Sequence, residues 1–331
     1  MKALFVLAVL LGAAVLAGPA NAAARGDFDN DGKSDILWRD FGNGNNMIWR
    51  MNGAAVAQSQ TLPKVPDVKW RVAAIGDVNA DGRGDLIWRN IATGDNLLWI
   101  MDGFDVTATP SLPRVVSTDW TVAGSGDFNG DGRADILWRN TATGENVMWM
   151  LDGATVMDAP FLPAVTNAHW IVAAVANFDG DTMADLLWYN DQTGEVVIWL
   201  MNGASIASDA SLGAIVTDWI IAAAADFNGD GKSDILWRNT QNGDNVIWFM
   251  DGVNPTQQAF TEAASFARGP LGPRKWTVAA TGDYDGDGKA DIVWRDNNSG
   301  DNGIWLMDGT VLKTWAYLPS LRDQNQVIIR P

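Results

Sequence analysis

The 331-residue sequence has no cysteine and one histidine, His169. Disulfides, the usual brace of exported domains, are thereby excluded, and so are nucleophile schemes built on Cys or on His pairs. Basic residues are also scarce. With 23 Lys and Arg against 40 Asp and Glu, the net charge is −17. Phosphate backbones demand the opposite footprint, so no nucleic-acid partner is expected. Glutamate is almost missing: of the 40 acids only Glu145, Glu195 and Glu262 are Glu. That skew disfavours surface helices and favours turns. Past the first 22 residues no apolar run is long enough to span a bilayer.

The amino terminus reads as an export signal. Lys2 precedes an apolar run over residues 3–17, followed by Gly18, Pro19 and the small-x-small site Ala20-Asn21-Ala22. Cleavage after Ala22 leaves residues 23–331 as the mature protein, secreted or periplasmic, with no membrane span. Without disulfides its stability must come from a large core, bound metal or both.

What is abundant is Asp, Asn, Gly and Trp, arranged in one unit written six times. Acidic loops begin at Asp27, Asp77, Asp127, Asn177, Asp226 and Asp283, steps of 50, 50, 50, 49 and 57 residues. A period of this length means a propeller or a solenoid. Each unit reads as four short strands. Asn52-Gly53, Asp102-Gly103, Asp152-Gly153, Asn202-Gly203, Asp251-Gly252 and Asp308-Gly309 mark a two-residue hairpin after the third strand, predicted as type I′. Second strands such as Ile36-Leu37-Trp38 are apolar throughout, as expected for sheets buried on both faces.

The count closes into a ring. Seventeen residues separate Gly53 from Trp70, Gly103 from Trp120 and Gly153 from Trp170, and the same step from Gly309 lands on Gln326. The carboxyl end therefore supplies the innermost strand that the amino end lacks. The fold expected is all-β: a six-bladed β-propeller of four-stranded blades, closed by the C-terminal strand in the first blade. Seventeen of the 18 Trp fall into three ladders, read as core packing, and Trp315 stands alone.

The loops carry the chemistry. Five follow Asp-x-[Asp/Asn]-x-Asp-Gly-x-x-Asp: Asp27, Asp29, Asp31 and Asp35; Asp77, Asn79, Asp81 and Asp85; Asp127, Asn129, Asp131 and Asp135; Asp226, Asn228, Asp230 and Asp234; Asp283, Asp285, Asp287 and Asp291. The fourth, Asn177, Asp179, Asp181 and Asp185, has Thr182 for the glycine and reads as weakened or lost. Three or four carboxylates in nine residues repel unless a cation neutralises them, and hard oxygen donors at this spacing select Ca²⁺. An EF-hand would need Glu at position twelve, where Trp38, Trp88 and Trp138 stand.

The stretch from Trp120 to Arg139, Trp-x-Val-Ala-x-x-Gly-Asp-Phe-Asn-Gly-Asp-Gly-Arg-Ala-Asp-Ile-Leu-Trp-Arg, resembles the FG-GAP/VCBS-type repeat of integrin α-subunit propellers and many exported bacterial proteins. The resemblance covers essentially the whole mature chain. It implies propeller blades with Ca²⁺ between first and second strands, and work in adhesion, recognition or glycan binding.

Function is therefore read as non-catalytic recognition of a glycan or an extracellular protein surface. The alternative is a polysaccharide lyase or glycosidase, whose carboxylates would have to come from a non-repeating place such as residues 253–274, with Pro255, Glu262, Arg268, Pro270 and Pro273. Repeated Arg39, Arg89, Arg139, Arg238 and Arg295 are expected to compensate loop carboxylates, with ligand contact as the other reading. His169 is expected at an exposed, tolerant position. Arg25-Gly26-Asp27 and Arg83-Gly84-Asp85 spell an integrin-recognition tripeptide, read as coincidence because Asp27 and Asp85 are expected ligands.

Overall fold

The computed structural model describes residues 26–216, 218–261 and 276–330. The expected signal at residues 1–22, and Glu262, Arg268, Pro270 and Pro273, lie outside them. All regular elements of the described residues are strands, grouped in six antiparallel sheets arranged as the blades of a propeller. No helix among them is long and apolar enough to cross a membrane.

The third blade shows the plan. From the axis outward run Trp120–Gly126, Asp135–Asn140, Asn146–Asp152 and an outer strand in two pieces, Thr155–Asp158 and Phe161–Leu162. Pro160 causes the break, because it has no N–H to give the ladder; Pro110 does the same in the second blade. Innermost strands of successive blades pack on one another around the axis. Five of the six carry a bulge opposite the second strand, and the extra residue is always alanine: Ala73, Ala123, Ala173, Ala222 and Ala279. A bulge adds twist, and a methyl group fits where blades converge.

The ring closes as the spacing predicts. Gln326–Ile329 lies antiparallel to Ile36–Asp40 with Gln326 opposite Asp40, the register that Trp70 has with Asn90.

The hairpin turn differs from expectation. Asn52 pairs with Ala55, so the corner residues are Gly53 and Ala54, not Asn52 and Gly53. Only the glycine has positive φ, at 59°, which is the pattern of type II′; type I′ would place both corner residues there. All six hairpins behave alike.

Second- and third-strand tryptophans pair within each blade, from Trp294 and Trp305 at 4.7 Å between ring centroids to Trp237 and Trp248 at 5.2 Å. Second-strand indoles are at most 2% exposed. The ladders are core, as expected, although four of the five innermost-strand tryptophans, Trp70, Trp120, Trp170 and Trp219, remain partly exposed.

One strained position invites a test. The fourth loop residue is left-handed in all six loops, and where four are glycine, Ala80 holds φ of 61°. That conformation costs an alanine roughly 1–2 kcal/mol, partly returned by glycine's looser unfolded chain. Ala80→Gly is therefore expected to raise stability by about 0.5–1 kcal/mol in urea melts; a loss would contradict the strain.

Candidate metal centres

Each acidic loop leads into the second strand of its blade, five of the six directly from an innermost strand, so all six lie on one face of the ring. In the third loop, Asp127 Oδ1 accepts N–H bonds from Gly130 (2.7 Å) and Asp131 (3.2 Å), and its Oδ2 accepts one from Gly132 (2.8 Å). The bonds to Oδ2 in this loop and its intact counterparts require the left-handed glycine at position six, as at Gly132 with φ of 85°.

Position nine is a buried carboxylate, 0–6% exposed in every loop. Asp135 Oδ2 accepts the Phe128 N–H at 3.0 Å and Oδ1 the Leu151 N–H at 2.8 Å, tying the loop to the third strand. Burial pushes the carboxyls of Asp35, Asp85, Asp135, Asp185 and Asp234 up to about 7 and that of Asp291 to about 8, against the lowering pull of these bonds. Burial likewise raises Asp27, Asp127, Asp226 and Asp283.

Positions three and five complete the cluster. Asp27, Asp29 and Asp35 bring one oxygen each within 4.8 Å of one another, as do Asp283, Asp285 and Asp287, a spacing that could hold a cation. In the two intact loops whose position three is Asp, a base from the same blade bridges positions three and five: Arg50 reaches Asp29 (2.5 Å) and Asp31 (3.0 Å), and Lys313 reaches Asp285 (3.1 Å) and Asp287 (2.7 Å). Where it is Asn, the amide makes that link, Asn79 to Asp81 at 3.0 Å and likewise Asn129 to Asp131 and Asn228 to Asp230. The sequence carries this signal: the counterparts of Arg50 are Ile100, Met150, Leu200, Phe249 and Leu306.

The fourth loop departs as expected. Asn177 Nδ2 donates to the Asp181 carbonyl at 2.5 Å, and Thr182 does not adopt the left-handed turn that bonds its counterparts to position one. Position nine survives, with Asp185 accepting the Phe178 and Met201 N–H groups.

Reading the loops singly misses that they are also the joints between blades. The position-eight N–H of each blade donates to the position-one carbonyl of the blade before, for example Ala134 to Asp77 at 2.6 Å, and Ser34 to Asp283 at 2.6 Å closes the cycle. A second cycle runs from each hairpin glycine to the preceding position-two carbonyl, as Gly153 to Val78 at 3.1 Å and Gly53 to Tyr284 at 2.8 Å. Position-two side chains, Phe28, Val78, Phe128, Phe178, Phe227 and Tyr284, are at most 1% exposed.

The repeated arginines do not serve the loops. Arg139 donates to Asn146 Oδ1 (3.0 Å) and to the Val165 and Trp170 carbonyls, and lies 4.9 Å over the Trp188 ring of the next blade. Arg39, Arg89, Arg238 and Arg295 likewise cover Trp88, Trp138, Trp294 and Trp38. The expected compensation comes instead from Arg50, Lys313 and the position-seven base, which approaches position five, as Arg83 does Asp81 (4.0 Å) and Arg133 does Asp131 (3.9 Å), and also pairs with the hairpin acid. His169 is exposed and bonds Asp191 at 2.8 Å. Asp27 and Asp85, at 3% and 0% exposure, are not displayed as an adhesion tripeptide requires.

The FG-GAP-like repeat matches residues 27–88, 77–138, 177–237 and 226–294, well over half of the chain. No curated protein matches the sequence. Solved structures share the fold: the nidogen chain of a nidogen–laminin complex (12% identity, 89% of this chain and 96% of that one, TM-score 0.55) and the β-propeller domain of Myceliophteria thermophila Cps50 (Swd1) (12%, 93% and 94%, 0.51). The pore of the Photorhabdus luminescens Tc holotoxin is similar over 15% of its own chain and 85% of this one (14%, 0.53).

Proposed function

Because the chain belongs to the FG-GAP-like repeat family, we propose that it acts outside the cytoplasm as a non-catalytic, calcium-braced recognition module, one rim of which meets a glycan or protein surface. The observation that carries this reading is the double duty of the acidic loops, which gather carboxylates and also hinge every blade to the next. Positions one, three, five and nine of the five intact loops would hold Ca²⁺ through oxygen donors alone, the hardness that calcium selects. The bound ion supplies positive charge that offsets the mutual repulsion of the loop acids. A partner then meets a rigid surface and pays little ordering entropy. The nidogen propeller was captured with laminin, which makes a protein surface as reasonable a target as a sugar.

Calorimetric titration of chelator-stripped protein is expected to show uptake of one Ca²⁺ per intact loop, five in all, and a sixth in Asn177→Asp/Thr182→Gly. No uptake would overturn the calcium reading. Glycan-array retention lost in chelator would assign a lectin, and its absence a protein partner. Turnover of any polysaccharide would overturn the non-catalytic part.

A further inference from the structure

We propose that the cleft between the fourth and fifth blades binds a flat, uncharged aromatic molecule. The site is independent of the acidic loops, since it opens at the opposite ends of the strands, where Trp219 begins its innermost strand and Val246 lies near the start of its third.

At each of the other five junctions the second-strand tryptophan is covered by a guanidinium from the blade before, 4.7–5.0 Å from its ring. The gap is therefore a slot as thick as one planar group. At the fourth junction three substitutions remove the guanidinium together. Tyr189 replaces the arginine; its hydroxyl donates to the Trp219 carbonyl at 3.2 Å, as Arg139 does to that of Trp170, but its ring meets Trp237 by its edge, at 6.3 Å and 73°, and does not lie over it. Val196, opposite Tyr189, replaces the asparagine whose Oδ1 holds each of the other guanidiniums.

Gly213 replaces the proline found at 63, 113, 163 and 319, so the outer strand runs on to ten residues, Ser205–Ala214. Leu212 is then only partly buried, while Leu62, Leu112, Leu162 and Leu318 are 4–6% exposed.

What remains is a cavity of about 400 Å³ walled by Trp219, Trp237, Trp248, Phe260, Ile215 and Val246. That is room for a molecule of two fused rings. The aromatic walls favour stacked or edge contacts with another ring. Charge is disfavoured for either sign: the amide acceptor that holds a cation elsewhere is now Val196, and among the described residues no charged side chain lines the cavity. A neutral aromatic molecule matches these walls.

The test uses the whole protein and 2-naphthol, with 2-naphthoate and 2-naphthylmethylammonium as charged analogues of the same rings. Calorimetry is expected to give one saturable 2-naphthol site per chain, with both ions about tenfold weaker or worse. Tyr189→Arg/Val196→Asn, which restores the arrangement of the other blades, is expected to weaken 2-naphthol about tenfold or more. Ala259→Phe, projecting into the cavity from the outer strand, is expected to do the same and decides the matter if the double variant does not fold. Undiminished binding in a folded variant, equal binding of the charged analogues, or no saturable binding at all would overturn the proposal.

Discussion

Deleting residues 326–330 is expected to abolish the folded monomer. The last strand completes the first blade through Val327, Ile328 and Ile329, paired with Arg39, Trp38 and Leu37. It also ties that blade to the sixth: Arg295 donates to the Gln326 carbonyl at 3.0 Å, and Arg330 to the Val278 carbonyl at 2.6 Å. Several ladder bonds at about 1 kcal/mol each, together with burial of Ile328 at about 2 kcal/mol, come to roughly 5–8 kcal/mol. A domain's whole stability is about 5–15 kcal/mol. The residual edge, Ile36–Asp40, is buried at every position and would be left as an apolar template for pairing with other chains. Size-exclusion chromatography with light scattering should show aggregate or oligomer in place of monomer. A monomer with an unchanged melting temperature would refute the closure argument.

Asp135→Ala is expected to cost about 3–5 kcal/mol in urea unfolding with chelator present. Its carboxylate is the acceptor for two buried N–H groups, Phe128 and Leu151, and an orphaned buried donor costs about 1–3 kcal/mol. Asp135→Asn keeps one acceptor oxygen and should lose less. A loss under about 1 kcal/mol in the alanine variant would show that water replaces the carboxylate.

The same group sets the pH dependence. Its folded value of about 7 lies above the ordinary 3.8, so between the two the native state binds more protons than the unfolded chain. Its stabilising contribution is complete below about pH 4 and is lost as pH rises through 7, and five more loops behave alike. Metal-free protein should therefore melt higher at pH 5 than at pH 8, and millimolar Ca²⁺ should flatten or reverse that slope. A metal-free melting temperature that rises across this range would contradict the assignment.

Much of the fold was legible because the chain repeats. Six Gly-marked hairpins, strands apolar on both faces and the step from Gly309 to Gln326 fix the blade count and the closing register without any distant contact. The hairpin type was not legible, since Asn-Gly is as good a corner as Gly-Ala until the pairing of Asn52 with Ala55 is known. The fate of the arginines was hidden for a related reason. Arg39 sits four residues beyond Asp35, which suggests its own loop, whereas its side chain crosses to Trp88, 49 residues away. In a ring, the nearest spatial neighbour of a unit is the next unit, and one unit's pattern does not display that contact. Ligand-type residues were readable from oxygen chemistry and spacing; the backbone groups that position nine satisfies were not, because amides are present at every position.

The two cycles of bonds between loops have a further effect on how the molecule comes apart. A linear stack of repeats frays from its terminal members, each held on one side only. Here every blade is gripped on both sides, so melting should proceed as one concerted event. A single defective member is also sheltered: the fourth loop has lost its leading acid and its sharp turn, yet Ala184 still reaches Asp127 and Ser233 still reaches Asn177. Neighbours keep the lapsed loop in place.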